Sequence, residues 1–292
     1  MNDVIDVRKS GPASPLAERL ALCNEVLAPW DFARQCEYAA GLGYRGLEVA
    51  PYTLVADPAT ITDTQARQWR QIAADHGLTI CGLHWLLVAP KGLSIASPDP
   101  AVRARTGEVI ARLVHLCAQL GGSYLVHGSP AQRNPASGQS QSDALSFATD
   151  AWHRAGELAT GLGLTYCIEP LSRDQTSVVN TLAQAMSIVQ EAALPGLCTM
   201  LDTSSAGLSE EAPIDRLIGR WWPTGKLAHV QFNDRNRRGP GQGDDRFGPV
   251  VAALARHSYS GWIAMEPFVY QPDGPACAAH SIGYVRGLLE SG

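Results

Sequence analysis

A short apolar run meets a polar loop in the stretch Lys226-Leu-Ala-His-Val-Gln-Phe-Asn-Asp-Arg-Asn-Arg-Arg-Gly-Pro-Gly-Gln-Gly243. The apolar part is typical of a buried strand. Because side chains alternate along a strand, His229 and Gln231 should point the same way. The loop that follows carries three arginines, two asparagines and an aspartate. A polar cluster after a buried strand marks the edge at which α/β folds place their functional sites.

The same strand-then-loop pattern recurs outward along the chain, and each apolar segment is followed by one with helical periodicity. The predicted strands are residues 20–25, 45–50, 78–85, 124–127, 164–169, 197–202, 226–231 and 262–266. The predicted helices are residues 31–42, 62–76, 100–120, 144–162, 181–192, 209–220, 245–257 and 277–289. Such alternation indicates a parallel sheet with helical crossovers, and eight units favour a closed (β/α)8 TIM barrel. An open doubly wound sheet is the alternative, but it would require a glycine-rich first turn, which Asn24-Glu-Val-Leu27 lacks.

The length of the chain suits one such barrel. It has 292 residues, and a single (β/α)8 barrel takes about 250. Residues 1–16 include Lys9-Ser-Gly-Pro-Ala-Ser-Pro15, which indicates a flexible lead. We therefore expect a single TIM-barrel domain over residues 17–292.

Composition limits the classes of partner. Charged residues make up 17% and hydrophobic residues 45%, as in a globular protein, and the net charge of −5 disfavours a nucleic-acid partner. We expect no membrane partner, because no apolar run approaches the roughly 20 residues of a membrane span and no signal peptide opens the chain. The seven cysteines are scattered, odd in number and mostly in apolar surroundings. This usage predicts reduced core thiols in a cytoplasmic protein.

Three acidic residues end predicted strands: Glu169, Asp202 and Glu266. A buried carboxylate is costly unless it is paired or metal-bound, and three at one end of a barrel would repel one another. A divalent cation resolves that repulsion. Pairing of each carboxylate with an arginine is the alternative. The available partners are Arg173, Arg237 and Arg246.

The fourth metal ligand has two candidates. Gln231 can complete the set through its carbonyl oxygen, whereas His229 lies one layer deeper on the same predicted face and is more typical of a supporting or core residue. The choice between them stays open. Ligation by oxygen alone favours Mn²⁺ or Mg²⁺, and Co²⁺ is a further alternative.

Other side chains could contact a substrate. His84 and His127 end strands after apolar runs, so each can be a base, a substrate contact, a ligand or a core histidine. The aromatic side chains of Trp85 and Phe268 can wall a sugar face or pack in the core. Guanidinium forks suited to carboxylates, phosphates or sugar hydroxyls occur at positions 235, 237 and 238.

Motifs over nearly the whole chain from about residue 20 resemble a known family. They are Gly43-Tyr-Arg-Gly-Leu-Glu48, Ile168-Glu-Pro-Leu-Ser-Arg173, Leu201-Asp-Thr203, His229-Val-Gln231, Arg237-Arg-Gly-Pro-Gly-Gln-Gly243 and Gly261-Trp-Ile-Ala-Met-Glu-Pro-Phe268. Together they resemble the sugar phosphate isomerase/epimerase family of xylose-isomerase-like TIM barrels, which includes the ketose 3-epimerases. The resemblance implies a divalent metal, often manganese. The implied ligands are Glu169, Asp202, Gln231 and Glu266.

The resemblance also implies a reaction. In the epimerases the two glutamates, here Glu169 and Glu266, shuttle the proton next to a carbonyl through a metal-stabilised enediolate. Arg237 matches an arginine that contacts substrate. We therefore expect a sugar isomerase or epimerase. Its expected substrate is a small carbohydrate or keto-sugar. The residues expected to contact that substrate are His84, Trp85, Arg173 and Arg237.

Three departures from the epimerases keep a second reaction class open. Gln231 and Ser205 stand where histidines are usual, and Gln175 stands where many epimerases have glutamate. Glutamine among the ligands resembles some 3-dehydroshikimate dehydratases. The segments 83–87 and 126–130, with Gln132-Arg133, resemble the catalytic subunits of C-glycoside deglycosidases, which act on 3-oxo-glycosides. A lyase of this kind would use His127 or His84 as an additional base.

Two further classes are compatible with such a barrel. An abasic-site nuclease shares this barrel but uses many histidines, and a binding barrel would hold metal without turnover. For the assembly we expect a homo-oligomer, or a hetero-oligomer with a small subunit.

Overall fold

The computed structural model describes residues 15–291, and eight parallel strands close into a barrel in sequence order. The closing pair joins the last strand to the first, with Leu20 opposite Ile263. The strands are β1 Leu20–Cys23, β2 Gly46–Val49, β3 Thr79–Leu83, β4 Tyr124–His127, β5 Thr165–Ile168, β6 Leu197–Asp202, β7 Leu227–Phe232 and β8 Ile263–Met265. The predicted closed (β/α)8 barrel is confirmed. Residues 1–14 of the predicted lead lie outside the described residues, and Pro15–Arg19 forms a 3-10 helix with Leu16 buried.

Nine α-helices in residues 15–291 accompany the strands, one more than predicted. They are α1 Phe32–Leu42, α2 Asp63–Asp75, α3 Pro100–Leu120, α4 Gln141–Gly161, α5 Leu182–Ala192, α6 Thr203–Ser209, α7 Ile214–Trp221, α8 Phe247–Arg256 and α9 Gly274–Ser291. The single helix predicted over 209–220 is confirmed from Ile214 onward, as α7, and is wrong before it. Asp202 ends β6 and its side chain accepts a hydrogen bond from the Ser205 N–H at 2.6 Å, which starts α6 at once. Pro213 then separates α6 from α7, because the residue before a proline disfavours helical geometry.

The helix ends follow local chemistry. Asp31 caps α1 by accepting from the Arg34 N–H, and Gly43 ends that helix with a φ of 93°. Thr62 and Thr181 each form a capping box with a glutamine three residues later. Thr181 is therefore the cap of α5.

The barrel positions polar side chains by strand alternation. Asp202 pairs with Gln231 across β6 and β7, and Gln231 pairs with Ala264 across β7 and β8. These neighbours therefore present their side chains to the same face of the sheet at the carboxyl end of the barrel. All seven cysteines are free and buried, as predicted. Among residues 15–291, no helix has the length and apolar character needed to span a membrane.

Candidate metal centre and active site

Glu169, Asp202 and Glu266 converge at the carboxyl end of the barrel. One oxygen of each lies within 4.8 Å of the others, and the three residues are only 6%, 2% and 3% exposed. They follow or end β5, β6 and β8, so three separate strands bring them to one point. The strand-end pattern in the sequence predicts this grouping.

The electrostatics of this cluster favour a counter-charge. Burial and then the neighbouring Asp202 raise the pKa of Glu169 well above its usual value. Burial likewise raises the pKa of Asp202 to about 6, although the bond from the Ser205 N–H opposes the shift. Burial, Glu169 and Asp202 together raise the pKa of Glu266. These raised pKa values favour the protonated carboxyls when no cation is bound, and a bound cation would compete with those protons.

Gln231 is the register partner of Asp202 on the neighbouring strand, and its amide nitrogen is already engaged. Its Nε2 donates to Glu48 Oε1 at 2.6 Å, whereas its Oε1 is buried without a hydrogen-bond partner among the described residues. Asp202 Oδ2 and Glu266 Oε2 are buried without such a partner in residues 15–291 as well. Buried oxygens without donors fit a hard divalent cation, so the residues present suit the metal that the resemblance implies.

His229 lies deeper and has another contact. Its Nε2 is 2.8 Å from Glu48 Oε2, and its ring stacks on Tyr124 with 4.1 Å between ring centroids. This position favours Gln231 over His229 as the fourth ligand.

The sequence reasoning missed Glu48 as a site residue. Its carboxylate is fully buried in the barrel interior, where Tyr124 donates its O–H to it. Burial alone would raise the pKa of Glu48, but His229, His84 and Tyr124 outweigh burial and lower it to about 2. The available signal was a carboxylate inside the predicted strand 45–50, where an apolar side chain is the usual occupant.

Glu25 is a second residue that the sequence reasoning missed, and it lies with His84 beside Glu266. His84 Nε2 is 2.8 Å from Glu25 Oε2 and 3.8 Å from Glu266 Oε1. His84, predicted from the sequence as a substrate contact, is thus close to the carboxylate cluster. Burial lowers and Glu25 raises the pKa of His84, and the net shift is upward. The signal for Glu25 was its place at the end of the first predicted strand.

Arg133 is a buried cation that the sequence does not reveal. It is fully buried, and its Nη1 donates to the Glu169 carbonyl at 2.8 Å while its Nη2 donates to the Val179 carbonyl at 3.4 Å. These bonds tie the loop after β4 to the end of β5. Burial lowers the pKa of Arg133 to about 10, although Glu169 opposes that shift. Arg133 therefore holds the backbone from which the Glu169 carboxylate extends.

A narrow cleft with only about 10 Å³ of accessible space opens above two of the carboxylates. Glu169 and Glu266 line it together with Trp85 and Phe268, whose rings meet edge to face at 6.0 Å. Trp85 has a φ of 50°, a strained backbone state that non-glycine residues adopt mainly at functional sites. Gln175, one of the three departures from the epimerases, also lines this cleft. The two aromatic rings thus wall the space directly above the two glutamates, and a sugar would have to widen this cleft to reach them.

The structure places the two predicted substrate arginines elsewhere. Arg237 forms an ion pair with Asp174, and its side chain is 34% exposed. Arg173 is exposed, and both arginines line a separate surface cavity with Leu208. Neither lines the cleft, so contact with either would require a substrate that extends beyond it.

His127 faces away from the carboxylates. Its Nδ1 is 2.7 Å from the Tyr166 hydroxyl oxygen, and its ring meets Trp152 of α4 edge to face at 5.8 Å. Strand alternation instead turns position 128 toward the site, where a Cβ added to Gly128 would overlap Glu169 Oε2. The sequence-based role of His127 as a base therefore does not fit this geometry. Burial and then Arg133 lower the pKa of His127 to about 3.

We expect His127→Gln to change stability at acid pH rather than turnover. The folded state keeps His127 neutral, whereas the unfolded chain protonates it below its ordinary pKa of 6.5. Stability from this group is therefore complete above pH 6.5 and decreases as the pH falls toward 3, by at most about 1.4 kcal/mol per pH unit. Urea unfolding from pH 7 to 4 should show a shallower loss for His127→Gln than for the wild type. The exposed His115→Gln on α3 is the control, and a large loss of kcat in His127→Gln at unchanged stability would restore His127 as a base.

Comparisons with known proteins agree with this architecture. Residues 36–288 match the family described as Xylose isomerase-like TIM barrel. The chain is 28% identical over 244 residues to D-psicose 3-epimerase from Agrobacterium fabrum, which covers 82% of this chain and 80% of that protein. A more distant match to 3-dehydro-D-guloside 4-epimerase from Escherichia coli is 25% identical over 183 residues and covers 61% of this chain and 69% of that protein.

Solved structures give the same fold. A crystal structure of D-psicose 3-epimerase in the presence of D-fructose superimposes with a TM-score of 0.79 and 21% identity, covering 93% of this chain and 99% of that chain. The relatives named here are sugar epimerases, and the predicted enzyme of isomerase type is confirmed at the level of class. The family match covers most of the chain and agrees with the closed eight-stranded barrel. The chain therefore belongs to the xylose isomerase-like TIM barrel family.

Proposed function

We propose that this enzyme is a metal-dependent sugar epimerase that moves a proton at the carbon next to a carbonyl. The observation that carries the proposal is the convergence of three buried carboxylates beneath a cleft with aromatic walls. The epimerases among the relatives support the reaction class.

Four residues would hold the metal: Glu169, Asp202, Gln231 and Glu266. Their donors are all oxygens, which favours Mn²⁺, with Mg²⁺ and Co²⁺ as alternatives. A divalent cation bound there would polarise the substrate carbonyl and stabilise the negative charge that develops on its oxygen.

The protons would pass through Glu169 and Glu266. Epimerisation removes a proton from one face of a carbon and returns a proton to the other face, so it needs two groups. Glu169 follows β5 and Glu266 follows β8, and β6 and β7 lie between those strands. The two carboxyl groups therefore reach the cleft from different sides. Their raised pKa values suit groups that must both accept and donate protons.

The substrate we propose is a neutral keto-sugar, with Trp85 and Phe268 against its apolar face. Free ketoses and keto-glycosides are the two candidates, because the relatives include a psicose 3-epimerase and a dehydroguloside 4-epimerase. The departures at 175, 205 and 231 favour the keto-glycoside over D-fructose and D-psicose. Elimination from a 3-oxo-glycoside is the second candidate reaction, because it begins with the same proton removal.

We expect the purified enzyme to contain about one divalent ion per site and to lose turnover after dialysis against a chelator. Added Mn²⁺ should restore it. The assay incubates D-fructose, D-psicose and a 3-keto-glucoside in D₂O and follows deuterium incorporation and products by mass spectrometry. Deuterium at the carbon beside the carbonyl, with an epimer formed, supports the proposal.

Other outcomes of the same assay contradict parts of it. An unsaturated product or a released aglycone would indicate a lyase. Protein that binds no divalent ion would overturn the metal site. Rapid exchange between fructose and psicose would overturn the preference for a keto-glycoside.

A further inference from the structure

A hydrogen-bond network lies beneath the carboxylate cluster, and Glu48 is at its centre. Glu48 Oε1 accepts from Gln231 Nε2 at 2.6 Å and lies 3.5 Å from His84 Nδ1. Glu48 Oε2 accepts from the Tyr124 O–H and lies 2.8 Å from His229 Nε2. Glu48 and Gln231 are both 0% exposed. Gln231, Tyr124 and the Cys23 thiol donate to this one carboxylate, and the two imidazoles lie beside it as charge partners.

The Gln231 amide can face this network in only one favourable way. A carboxylate accepts hydrogen bonds, whereas the two ends of an amide differ, since the nitrogen donates and the oxygen accepts. If the amide were reversed, Gln231 Oε1 and Glu48 Oε1 would be two acceptors about 2.6 Å apart in a site without solvent access. Unpaired buried acceptors of this kind are costly.

We propose that Glu48 is a positioning residue that turns the Gln231 amide oxygen toward the cluster and so completes an all-oxygen metal site. The inference rests on the proposed function, because it takes Gln231 as a ligand. The Gln231 oxygen is buried and has no hydrogen-bond partner among residues 15–291, as expected for an atom directed at a cation. Neither a glutamate nor a glutamine without the contact to Glu48 would bind the metal as well at position 231. A carboxylate there would meet Glu48 with like charge, and an unsupported amide could present its nitrogen.

A double-mutant cycle on this one bond tests the proposal. The four proteins are the wild type, Glu48→Gln, Gln231→Glu and the double variant E48Q/Q231E. Glu48→Gln introduces a donor, so the amide at 231 can reverse, and Mn²⁺ affinity should fall about 10- to 100-fold. Gln231→Glu alone should also weaken Mn²⁺ binding despite its added negative charge, because two carboxylates then share one contact. The double variant reverses the polarity of the same bond, and its Mn²⁺ affinity should return to within about threefold of the wild type.

The readouts are the Kd for Mn²⁺ from isothermal titration calorimetry and the thermal midpoint of each protein without metal. Tyr124→Phe is the matched control, since it removes a different donor to Glu48 and leaves the Gln231 contact in place. It should change the Mn²⁺ affinity by less than about threefold. If the metal site responded to any disturbance of the network, this variant would change the affinity by more than that.

The outcomes separate the two proposals. If the wild type binds no divalent ion, the proposed function fails and the inference fails with it. If the wild type binds Mn²⁺ but the two single substitutions act additively, or Gln231→Glu binds Mn²⁺ more tightly than the wild type, only the role of Glu48 is overturned. If Glu48→Gln does not fold, tight binding by Gln231→Glu alone still contradicts the inference.

Discussion

We expect Glu266→Gln to lower kcat by about 10²- to 10⁴-fold while Mn²⁺ binding is largely retained. Glu266 is 3% exposed at the base of the cleft and directly follows β8. Glutamine keeps the shape of the side chain and one oxygen ligand, but it cannot take or return a proton. Loss of a general acid–base group typically costs about this factor. Steady-state kinetics on the best substrate and calorimetric Mn²⁺ titration measure the two quantities on the same protein.

Gln231→His is the comparison for this variant. It introduces the ligand type that the resemblance to the epimerases implies, and it leaves both glutamates in place. We expect it to bind metal with a preference shifted toward Co²⁺ or Zn²⁺ and to alter kcat less than Glu266→Gln does. A near wild-type kcat in Glu266→Gln would mean that Glu266 is structural and that the proton passes through Glu169 or a histidine.

The order of strands and helices can be predicted from the sequence because it depends on local periodicity. Tyr124–His127 and Leu197–Asp202 have the bounds that the sequence predicts, since each is an apolar run with a clear start and end. The first part of the helix predicted over 209–220 is wrong for a local reason. The chain is already helical from Thr203 to Ser209, because Asp202 both ends a strand and caps a helix. Because one residue has both roles, no loop separates β6 from α6, and the sequence shows no boundary between them.

The positions of the carboxylates can be predicted from the sequence for the same reason, but the residues that support them cannot. Glu169, Asp202 and Glu266 follow apolar strands, so their shared edge follows from the topology of a parallel barrel. Glu48 acquires its role from donors on or beside β3, β4 and β7, which are far away in sequence. Arg133 lies in the loop after β4, where no periodicity indicates that a charge will be buried.

The prediction that His127 acts as a base does not fit the structure because the position facing the site lies one residue further along the chain. Histidine is chemically versatile and so draws attention at a strand end, but alternation along β4 directs His127 toward α4 and turns Gly128 to the site. The informative residue is the glycine, since the carboxylate of Glu169 occupies the space that a side chain at 128 would take. That packing contact has no signature in a single sequence.

Gly128→Ala should therefore lower both Mn²⁺ affinity and kcat by about 10²-fold without unfolding the protein. The added Cβ would overlap Glu169 Oε2, so one of the two groups must move. The Glu169 backbone cannot yield easily, because its N–H donates to the His127 carbonyl at 3.3 Å and its carbonyl accepts from Arg133. The carboxylate must then swing out of the cluster, and a misplacement of about 1 Å at a reacting group can cost about 10²-fold in rate.

Two further variants separate this displacement from a general loss of structure. Gly107→Ala adds a Cβ on α3 that meets nothing within 4 Å, so its kcat should match the wild type. Its thermal midpoint should be equal or higher, because alanine is favoured over glycine inside a helix. The double variant G128A/E169D shortens the displaced side chain and should recover part of the Mn²⁺ affinity that Gly128→Ala loses, whereas Glu169→Asp alone should not strengthen binding. If Gly128→Ala keeps the wild-type Kd for Mn²⁺, Glu169 does not need its observed position to bind metal, and its place among the ligands is lost.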